Sequence, residues 1–163
     1  MMLPELIVFD LDFTLWDCGG TWCDCLTPPF NQKQGRVNDG RGKHIRLYSD
    51  VVSILDFCST NGITTALASR TEQPVWARQL LELLGATDRF AFAEIYPSSK
   101  LKHFAALYEK TKIEYGQMLF FDDEMRNIQE VSELGVTCLF VEDGLTRQVF
   151  DEGLTKHSAR SNM

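Results

Sequence analysis

The chain has 163 residues, of which 44% are hydrophobic and 24% are charged. These values are typical of one globular domain that is large enough to bury a core. Sixteen Lys and Arg residues against 23 Asp and Glu residues give a net charge of −7, which argues against nonspecific binding to nucleic acids or anionic membranes. A small anionic substrate stays compatible with this charge, because a local field can differ from the overall one.

The sequence favours a cytoplasmic protein. No apolar run approaches the roughly 18 residues of a membrane span, and residues 1–12 lack the basic segment of a secretory signal. Because no secretory signal is predicted, we expect the five cysteines to be reduced thiols. Three of them form a C-x4-C-x-C cluster, but no histidine lies at zinc-finger spacing from it, so thiols in a loop are preferred over a zinc site. The cysteines are Cys18, Cys23, Cys25, Cys58 and Cys138.

Short apolar runs alternate with amphipathic segments along most of the chain. The runs are rich in β-branched or aromatic residues, which is typical of strands buried on both faces of a parallel sheet. Helical spacing of apolar residues fills the intervals, with Pro74 in one first turn. The alternation predicts an α/β fold, a three-layer, doubly wound parallel sheet of the Rossmann-like type with right-handed crossovers. We predict strands at 6–9, 63–68, 92–96, 118–121 and 136–141, and helices at about 50–61, 74–84, 98–108 and 124–134.

Two segments fall outside this alternation. Residues 15–48 form a long excursion after the first strand, and 35–48 has the pattern of a β-hairpin with an Asn-Asp-Gly turn. Lids and recognition loops lie in such excursions, so we expect a small β-hairpin flap that serves as a minimal cap. Residues 156–163 are polar and without periodicity, which predicts a frayed tail. We therefore expect a single domain over 1–155, with no large cap domain, followed by the polar tail.

Polar side chains follow four of the predicted strands at the edge where ligands of open α/β sheets bind. Asp10 and Asp12 come directly after the first strand and, at i and i+2 of an extended chain, point to the same side. Carboxylates, a hydroxyl and two cationic side chains are thus predicted to gather at one edge. The residues are Asp10, Asp12, Ser69, Arg70, Lys100, Asp122 and Asp123.

This cluster needs positive charge, because up to four neighbouring carboxylates would raise one another's pKa. A divalent cation meets that need. Oxygen ligands without His or thiolate partners select a hard ion, which predicts Mg²⁺ as the cofactor. Lys100 and Arg70 bring more positive charge than a metal site requires, and a bound phosphate would explain them.

Each of these motifs alone has a plain structural explanation. An Asp-x-Asp after a strand is often a turn with Asx hydrogen bonds, and Asp122-Asp123 can be a helix N-terminus. Ser69 can be a helix cap, and an isolated Lys100 is more often a solvated residue of a first turn. Their joint occurrence, in this order at consecutive strand ends, favours the functional interpretation.

The order of the motifs resembles that of the haloacid dehalogenase-like hydrolase superfamily. Longer stretches resemble the magnesium-dependent phosphatase 1 family within it, over about residues 5–150. The sequence departs from that family between Trp16 and Pro28, where an Asp-Cys-Gly-Gly and Cys-x-Cys stretch lies. The stretches that carry the likeness are FDLDFTLW at 9–16, PPF at 28–30, ASRT at 68–71, EIYP at 94–97, FFDDE at 120–124 and the Arg126-Asn127 pair.

The resemblance implies a phosphomonoesterase that forms an aspartyl phosphate. Asp10 would be the nucleophile, and Asp12 would protonate the leaving oxygen and then act as base toward water. Ser69 and Lys100 would hold phosphoryl oxygens. Arg70 matches the residue that faces the substrate beyond its phosphate.

The resemblance also implies how Mg²⁺ would be held. Its ligands would be Asp10, the main-chain carbonyl of Asp12, and a carboxylate of the last motif, for which we favour Asp123. Asp122 and Thr14 would then lie behind these ligands, where Asp122 would orient Lys100 or a water on the metal. The residues alone do not decide between Asp122 and Asp123.

The expected partners follow from the short interval between Thr71 and Lys100, which has no room for a cap domain. An open site fits bulky phosphoesters, either a phosphoprotein with phosphotyrosine or a phosphorylated small molecule such as a fructosamine 6-phosphate, both associated with the family. We expect no nucleic-acid or membrane partner. The oligomeric state is not fixed by the sequence, and a monomer is compatible with it. Two alternatives remain, a phosphotransferase or mutase that uses the same aspartyl phosphate and a noncatalytic phosphate-binding module.

Overall fold

The computed structural model describes residues 1–162, which form two β-sheets and five α-helices. In chain order the strands are β1 (Leu6–Phe9), β2 (Trp16–Cys18), β3 (Asn31–Lys33), β4 (Arg36–Asn38), β5 (His44–Leu47), β6 (Thr64–Ser69), β7 (Phe92–Ile95), β8 (Met118–Asp122) and β9 (Thr137–Phe140). The helices are α1 (Val51–Thr60), α2 (Pro74–Leu83), α3 (Lys100–Thr111), α4 (Met125–Ser132) and α5 (Arg147–Ser161).

The main sheet is parallel and has the strand order β7-β6-β1-β8-β9. The central strand β1 lies between β6 and β8, so that Phe9 is paired with Leu67 on one side and with Phe121 on the other. All five strands lie where the apolar runs predicted them, within two residues at each end. The doubly wound α/β fold is therefore confirmed.

The sheet separates two hydrophobic cores. Ile7 and Phe9 of β1 pack into the core that α1, α2 and α5 cover. Leu6 and Val8 point to the opposite face, into the core that α3 and α4 cover. All four side chains are fully buried, which is the reason that this strand has a continuous apolar sequence rather than an alternating one. The three-layer architecture is confirmed.

The second sheet is a small antiparallel flap with the strand order β2-β5-β4-β3. The predicted hairpin corresponds to β4 and β5, and β2 and β3 extend it. The Asp39 carboxylate holds the hairpin turn by accepting hydrogen bonds from the main-chain N–H groups of Thr27, Arg41 and Lys43, at 2.8–3.0 Å. Between β6 and α3 the chain forms only α2, a 3-10 turn and β7, which leaves the cleft without a large cap domain.

The frayed tail predicted at 156–163 is wrong as far as Ser161, because this segment continues α5. The Thr146 side chain caps the helix by accepting a hydrogen bond from the N–H of Val149 at 3.2 Å. A narrow stripe of buried residues, which includes Leu154 and His157, packs the helix against the sheet. The other positions of this helix are mostly polar, so the composition of the segment did not predict a helix. Residue 163 lies outside the described residues.

Within residues 1–162, no helix has the length and apolar character needed to cross a membrane.

Candidate active site

The carboxyl edge of the main sheet borders a cleft of about 610 Å³. Of the eight predicted site residues, Thr14 and Asp122 do not line the cleft but are buried behind it. Thr14 Oγ1 donates a hydrogen bond to Asp10 Oδ2 at 3.3 Å. Because β1 lies between β6 and β8, the topology brings their terminal side chains together. The predicted residues that line the cleft are Asp10, Asp12, Ser69, Arg70, Lys100 and Asp123.

Lys100 is buried, with 1% of its surface exposed, and its ammonium group lies between two carboxylates. Its Nζ is 3.0 Å from Asp10 Oδ1 and 3.1 Å from Asp122 Oδ2, and it also donates to the main-chain oxygen of Ala68. Burial acts to lower the pKa of Lys100, but the two carboxylates raise it above its ordinary value. The residue is therefore a buried cation of the site, and its interpretation as a solvated first-turn residue is excluded.

The carboxylates of this cluster carry raised pKa values. Burial raises the pKa of Asp10 to about 8, against the lowering effect of Lys100. Burial also raises the pKa of Asp122 to about 7 and that of Asp123 to about 6. Three carboxyl groups that resist ionisation at one place indicate a site that lacks positive charge in spite of the lysine.

The donor set fits a hard divalent cation. Carboxylate oxygens of Asp10, Asp122 and Asp123 can be chosen that all lie within 4.8 Å of one another. Oxygen donors of this kind are preferred by Mg²⁺. The two oxygens of Asp122 already accept hydrogen bonds, Oδ1 from the N–H of Glu124 at 2.8 Å and Oδ2 from Nδ2 of Asn127 at 3.1 Å. Asp123 lines the cleft and is the more available ligand of the pair.

Asp12 forms the wall of the cleft on the side of the flap. Its Oδ1 accepts a hydrogen bond from Nε1 of Trp16 at 2.7 Å and another from the main-chain N–H of Cys23 at 3.0 Å. Burial raises its pKa, and these two hydrogen bonds act in the opposite direction. Cys18 and Cys23 are buried next to this carboxylate, whereas Cys25 is exposed. The cysteine-rich stretch is thus partly a wall of the site.

The mouth of the cleft carries the guanidinium group of Arg70 and the exposed indole of Trp22. Arg70 Nη1 donates to Asn127 Oδ1 at 2.9 Å, which places the guanidinium group at the rim. Trp22 is 51% exposed and packs edge-on against Phe13, with ring centroids 5.6 Å apart. Ser69 is buried at the end of β6, where its Oγ accepts a hydrogen bond from the N–H of Thr71 at 3.3 Å.

Sequence reasoning assigned no role to several other residues of the site. Asn127 belongs to a pair that carries the family likeness, but its bridging position between Asp122 and Arg70 depends on where α4 begins. Trp22 and the two thiols lie in the stretch that departs from the family pattern. No local signal marks these residues, because their place at the cleft depends on the fold of the flap. The cleft residues without a predicted role are Trp22, Asp24, Thr71, Glu72, Pro97, Ser98, Glu124, Arg126 and Asn127.

Comparison with known proteins places this site in a family. A family model described as Acid Phosphatase matches residues 2–160. The chain belongs to the acid phosphatase family. It is 47% identical over 154 residues to Magnesium-dependent phosphatase 1 of Homo sapiens, with 93% of this chain and 86% of the human protein covered. It is also 38% identical over 149 residues to a HAD-like hydrolase superfamily protein of Schizosaccharomyces pombe, with 83% of this chain and 84% of the yeast protein covered.

Solved structures share the fold at low identity. One is the N-terminal part of a Bacteroides fragilis protein that contains a phosphatase domain, complexed with Mg, with a TM-score of 0.61 and 18% identity. The match covers 98% of the present chain and 40% of that chain. Another is the L-2-haloacid dehalogenase of Xanthobacter autotrophicus, with a TM-score of 0.60, 13% identity and coverage of 94% and 83%. These structures show the fold, and the 38% identity to the HAD-like hydrolase superfamily protein of Schizosaccharomyces pombe places this acid phosphatase in that superfamily, as its motif order indicated.

Proposed function

We propose that this acid phosphatase is a Mg²⁺-dependent phosphomonoesterase that works through an aspartyl phosphate on Asp10. The observation that carries the proposal is the position of the Lys100 ammonium group between Asp10 and Asp122, next to a carboxylate set that fits a divalent cation. A lysine here can neutralise phosphoryl oxygens during attack by a neighbouring carboxylate. A phosphate-binding module without catalysis would not need a second carboxylic acid that lines the cleft, such as Asp12.

The residues of the edge would divide the reaction between them. A carboxylate oxygen of Asp10 forms a bond to phosphorus while the bond from phosphorus to the leaving oxygen breaks. Asp12 gives its proton to that oxygen and then takes a proton from the water that hydrolyses the aspartyl phosphate, so that inorganic phosphate leaves and both carboxyl groups are restored. Ser69 and Lys100 hold phosphoryl oxygens, and Arg70 contacts the substrate beyond them.

The metal would be held by Asp10, the main-chain carbonyl of Asp12, and Asp123, with Asp122 and Thr14 orienting these ligands. When bound, Mg²⁺ supplies charge neutralisation for the incoming phosphate. The human relative carries magnesium dependence in its name. The partial engagement of both Asp122 oxygens with other groups supports the choice of Asp123.

The proposed substrates are bulky phosphoesters, such as protein phosphotyrosine or fructosamine 6-phosphates. The cleft has room for a leaving group larger than the phosphate itself, and the flap is small. Because α5 continues to Ser161, we further propose that residues 1–161 act as one domain in which residues 15–48 are the minimal cap. A phosphotransferase would need to keep water from the aspartyl phosphate, and an open cleft does not favour that.

The test is metal-dependent release of inorganic phosphate from an aryl phosphate. EDTA should abolish the release and added Mg²⁺ should restore it. Asp10→Asn should lose turnover by at least about 10³-fold while keeping the fold, as measured by circular dichroism, because no nucleophile remains. Asp56→Asn is the control. Asp56 is exposed, lies outside the cleft and pairs with Arg89, with Arg89 Nη2 at 2.6 Å from Asp56 Oδ1. Activity that persists in EDTA, or an active Asp10→Asn, would overturn the proposal.

Transfer can be measured in the same assay. If an added alcohol takes up most of the phosphoryl group in place of water, the protein is a phosphotransferase and not a phosphomonoesterase.

A further inference from the structure

The Asp12 carboxylate is held from the side of the flap by donors that converge on one of its oxygens. Trp16 Nε1–H lies 2.7 Å from Oδ1, the main-chain N–H of Cys23 lies 3.0 Å from it, and the Cys18 thiol lies 3.7 Å from it. Trp16 and Cys18 belong to β2, and Cys23 begins the 3-10 turn that follows. Cys18 and Cys23 therefore reach Asp12 from the stretch in which this sequence departs from its family, and Trp16 is the last residue of the FDLDFTLW stretch just before it.

The donors are fixed in place before any substrate arrives. Trp16 is fully buried, and a tight turn after β1 brings it back beside Asp12, with the N–H of Phe13 donating to the Trp16 oxygen at 3.0 Å. Phe13 adopts a φ of +62° in this turn, a conformation that an L-residue keeps only where the surrounding structure imposes it. Cys18 is buried and paired with Ile45 of β5. The donors therefore have little freedom to follow the carboxylate if it moves.

The chemistry of the donors agrees with this arrangement. An indole N–H and a main-chain N–H can only donate. The Cys18 thiol, buried 3.7 Å from Oδ1, can donate its S–H as well. An oxygen that accepts all of these hydrogen bonds is a poor place for a proton. When Asp12 is protonated, its proton therefore resides on Oδ2, and Asp12 is one of the residues that line the cleft.

We infer that Trp16 and Cys18, together with the main-chain N–H of Cys23, are positioning residues that fix the rotamer of Asp12 and keep its transferable proton on Oδ2. The inference rests on the proposed function, in which Asp12 protonates the leaving oxygen as its bond to phosphorus breaks. It adds that the flap, and not the sheet edge, orients the acid.

A general acid that is badly oriented has a recognisable effect on substrate preference. A nitrophenolate ion leaves easily without a proton, whereas an alkoxide does not. Loss of orientation should therefore slow the hydrolysis of an alkyl phosphate much more than that of 4-nitrophenyl phosphate. A variant that only loosens the flap or lowers the fraction of folded protein would slow both substrates alike.

The experiment compares kcat for 4-nitrophenyl phosphate and glycerol 2-phosphate at saturating Mg²⁺. Trp16→Phe removes the N–H and keeps most of the ring, and it should lower kcat for the alkyl phosphate by about 10- to 100-fold and kcat for the aryl phosphate by much less. Cys18→Ala should give the same pattern more weakly, because a thiol is a weak donor, and Cys18→Ser should restore the donor and the rate.

Matched controls separate orientation from packing. Trp76→Phe changes another tryptophan that contacts the flap, through Phe30 at 5.9 Å, but that has no hydrogen bond to Asp12. Cys58→Ala removes a buried thiol of α1. Both controls should leave the ratio of the two kcat values unchanged. In the Asp12→Asn background, Trp16→Phe should have little further effect on that ratio, since residues that act through one group are not additive.

The outcomes distinguish this inference from the function on which it rests. If the wild-type protein hydrolyses neither substrate with Mg²⁺, the proposed function fails. If the wild-type protein is active and folded Trp16→Phe keeps the wild-type ratio of the two kcat values, the inference is wrong. The part of the inference that concerns the Cys18 thiol is wrong if Cys18→Ser and Cys18→Ala give the same ratio of the two kcat values.

Discussion

The edge of the main sheet and the flap meet at Asp12, and they differ in how much of each is buried. The sheet edge ends strands that are buried on both faces, and its charged residues Asp10, Lys100 and Asp122 are themselves buried. The flap has strands of three or four residues, β3 is exposed along its whole length, and few side chains, such as Val37 and Ile45, form its interior. Removing an edge residue should therefore affect every substrate and the stability of the fold. Removing a flap residue should change the selection among substrates.

Replacement of Lys100 is the strongest test of the edge. Lys100→Met leaves Asp10 and Asp122 buried without their cation, at contacts that are 3.0 and 3.1 Å in the native protein. We expect kcat/KM to fall by at least about 10³-fold for aryl and alkyl phosphates alike. The free energy of unfolding in urea should fall by about 3–5 kcal/mol, since breaking a buried ion pair leaves an uncompensated charge.

Lys102→Met is the matched control, because Lys102 is exposed on the same helix. It should change the free energy of unfolding by less than about 0.5 kcal/mol. If Lys100→Met unfolded like this control, the charges of the edge would not be coupled to stability, and the contrast with the flap would break down.

The stabilisation that Mg²⁺ gives to the sheet edge should depend on pH. Burial raises the pKa of Asp10 to about 8, of Asp122 to about 7 and of Asp123 to about 6, against an ordinary value near 4 in the unfolded chain. The metal-free protein therefore has the full stabilisation from these groups below about pH 4, and loses it as pH rises through 6 to 8. Mg²⁺ binds the ionised carboxylates, so its stabilising effect should grow over the same range.

The measurement is Tm with Mg²⁺ and with EDTA at pH 5.5 and pH 8. We expect the increase in Tm caused by Mg²⁺ to be larger at pH 8. Asp123→Asn should reduce this difference between the two pH values, whereas Asp24→Asn, a change at the rim beside the flap, should leave it intact. An equal effect of Mg²⁺ at both pH values would contradict the assignment of the ion to this carboxylate set.

The contrast between edge and flap also explains what could be predicted from sequence. The strands of the main sheet are recognisable because double-sided burial demands uninterrupted apolar residues, as in Leu6–Phe9 and Met118–Asp122. Most of the site residues follow directly because they come at a strand end or within three positions after it, whereas Lys100 is placed by the start of α3 five residues after β7. A parallel sheet brings such positions together whatever the rest of the chain does.

The flap and the last helix follow other rules. The strands β2 and β3 have the sequences Trp-Asp-Cys and Asn-Gln-Lys, which are too short and too polar to show a period. Only the hairpin of β4 and β5, which lies between these two strands in the sheet, was predicted. The contacts of Trp16 and Cys18 with Asp12 depend on the pairing of β2 with β5, which is far away in sequence. Helix α5 buries only a stripe, and its polar majority suggested a frayed end.

The smallest expected effect belongs to Trp22, at the rim of the flap. Its indole is 51% exposed at the cleft and is supported by Phe13, so it offers a flat surface to an aromatic leaving group. Trp22→Ala should lower kcat/KM for 4-nitrophenyl phosphate by about two- to tenfold, the range of an aromatic pair, and should do so mainly through KM. Hydrolysis of glycerol 2-phosphate should change little, because this substrate has no ring.

Val52→Ala provides the control for this variant, since Val52 is equally exposed but lies on α1. It should leave both substrates unaffected. Trp22→Ala and Trp16→Phe then have opposite signatures, the first a KM effect on the aryl substrate and the second a kcat effect on the alkyl substrate. If Trp22→Ala slowed both substrates equally, the rim of the flap would contribute to the fold of the site and not to the choice of leaving group.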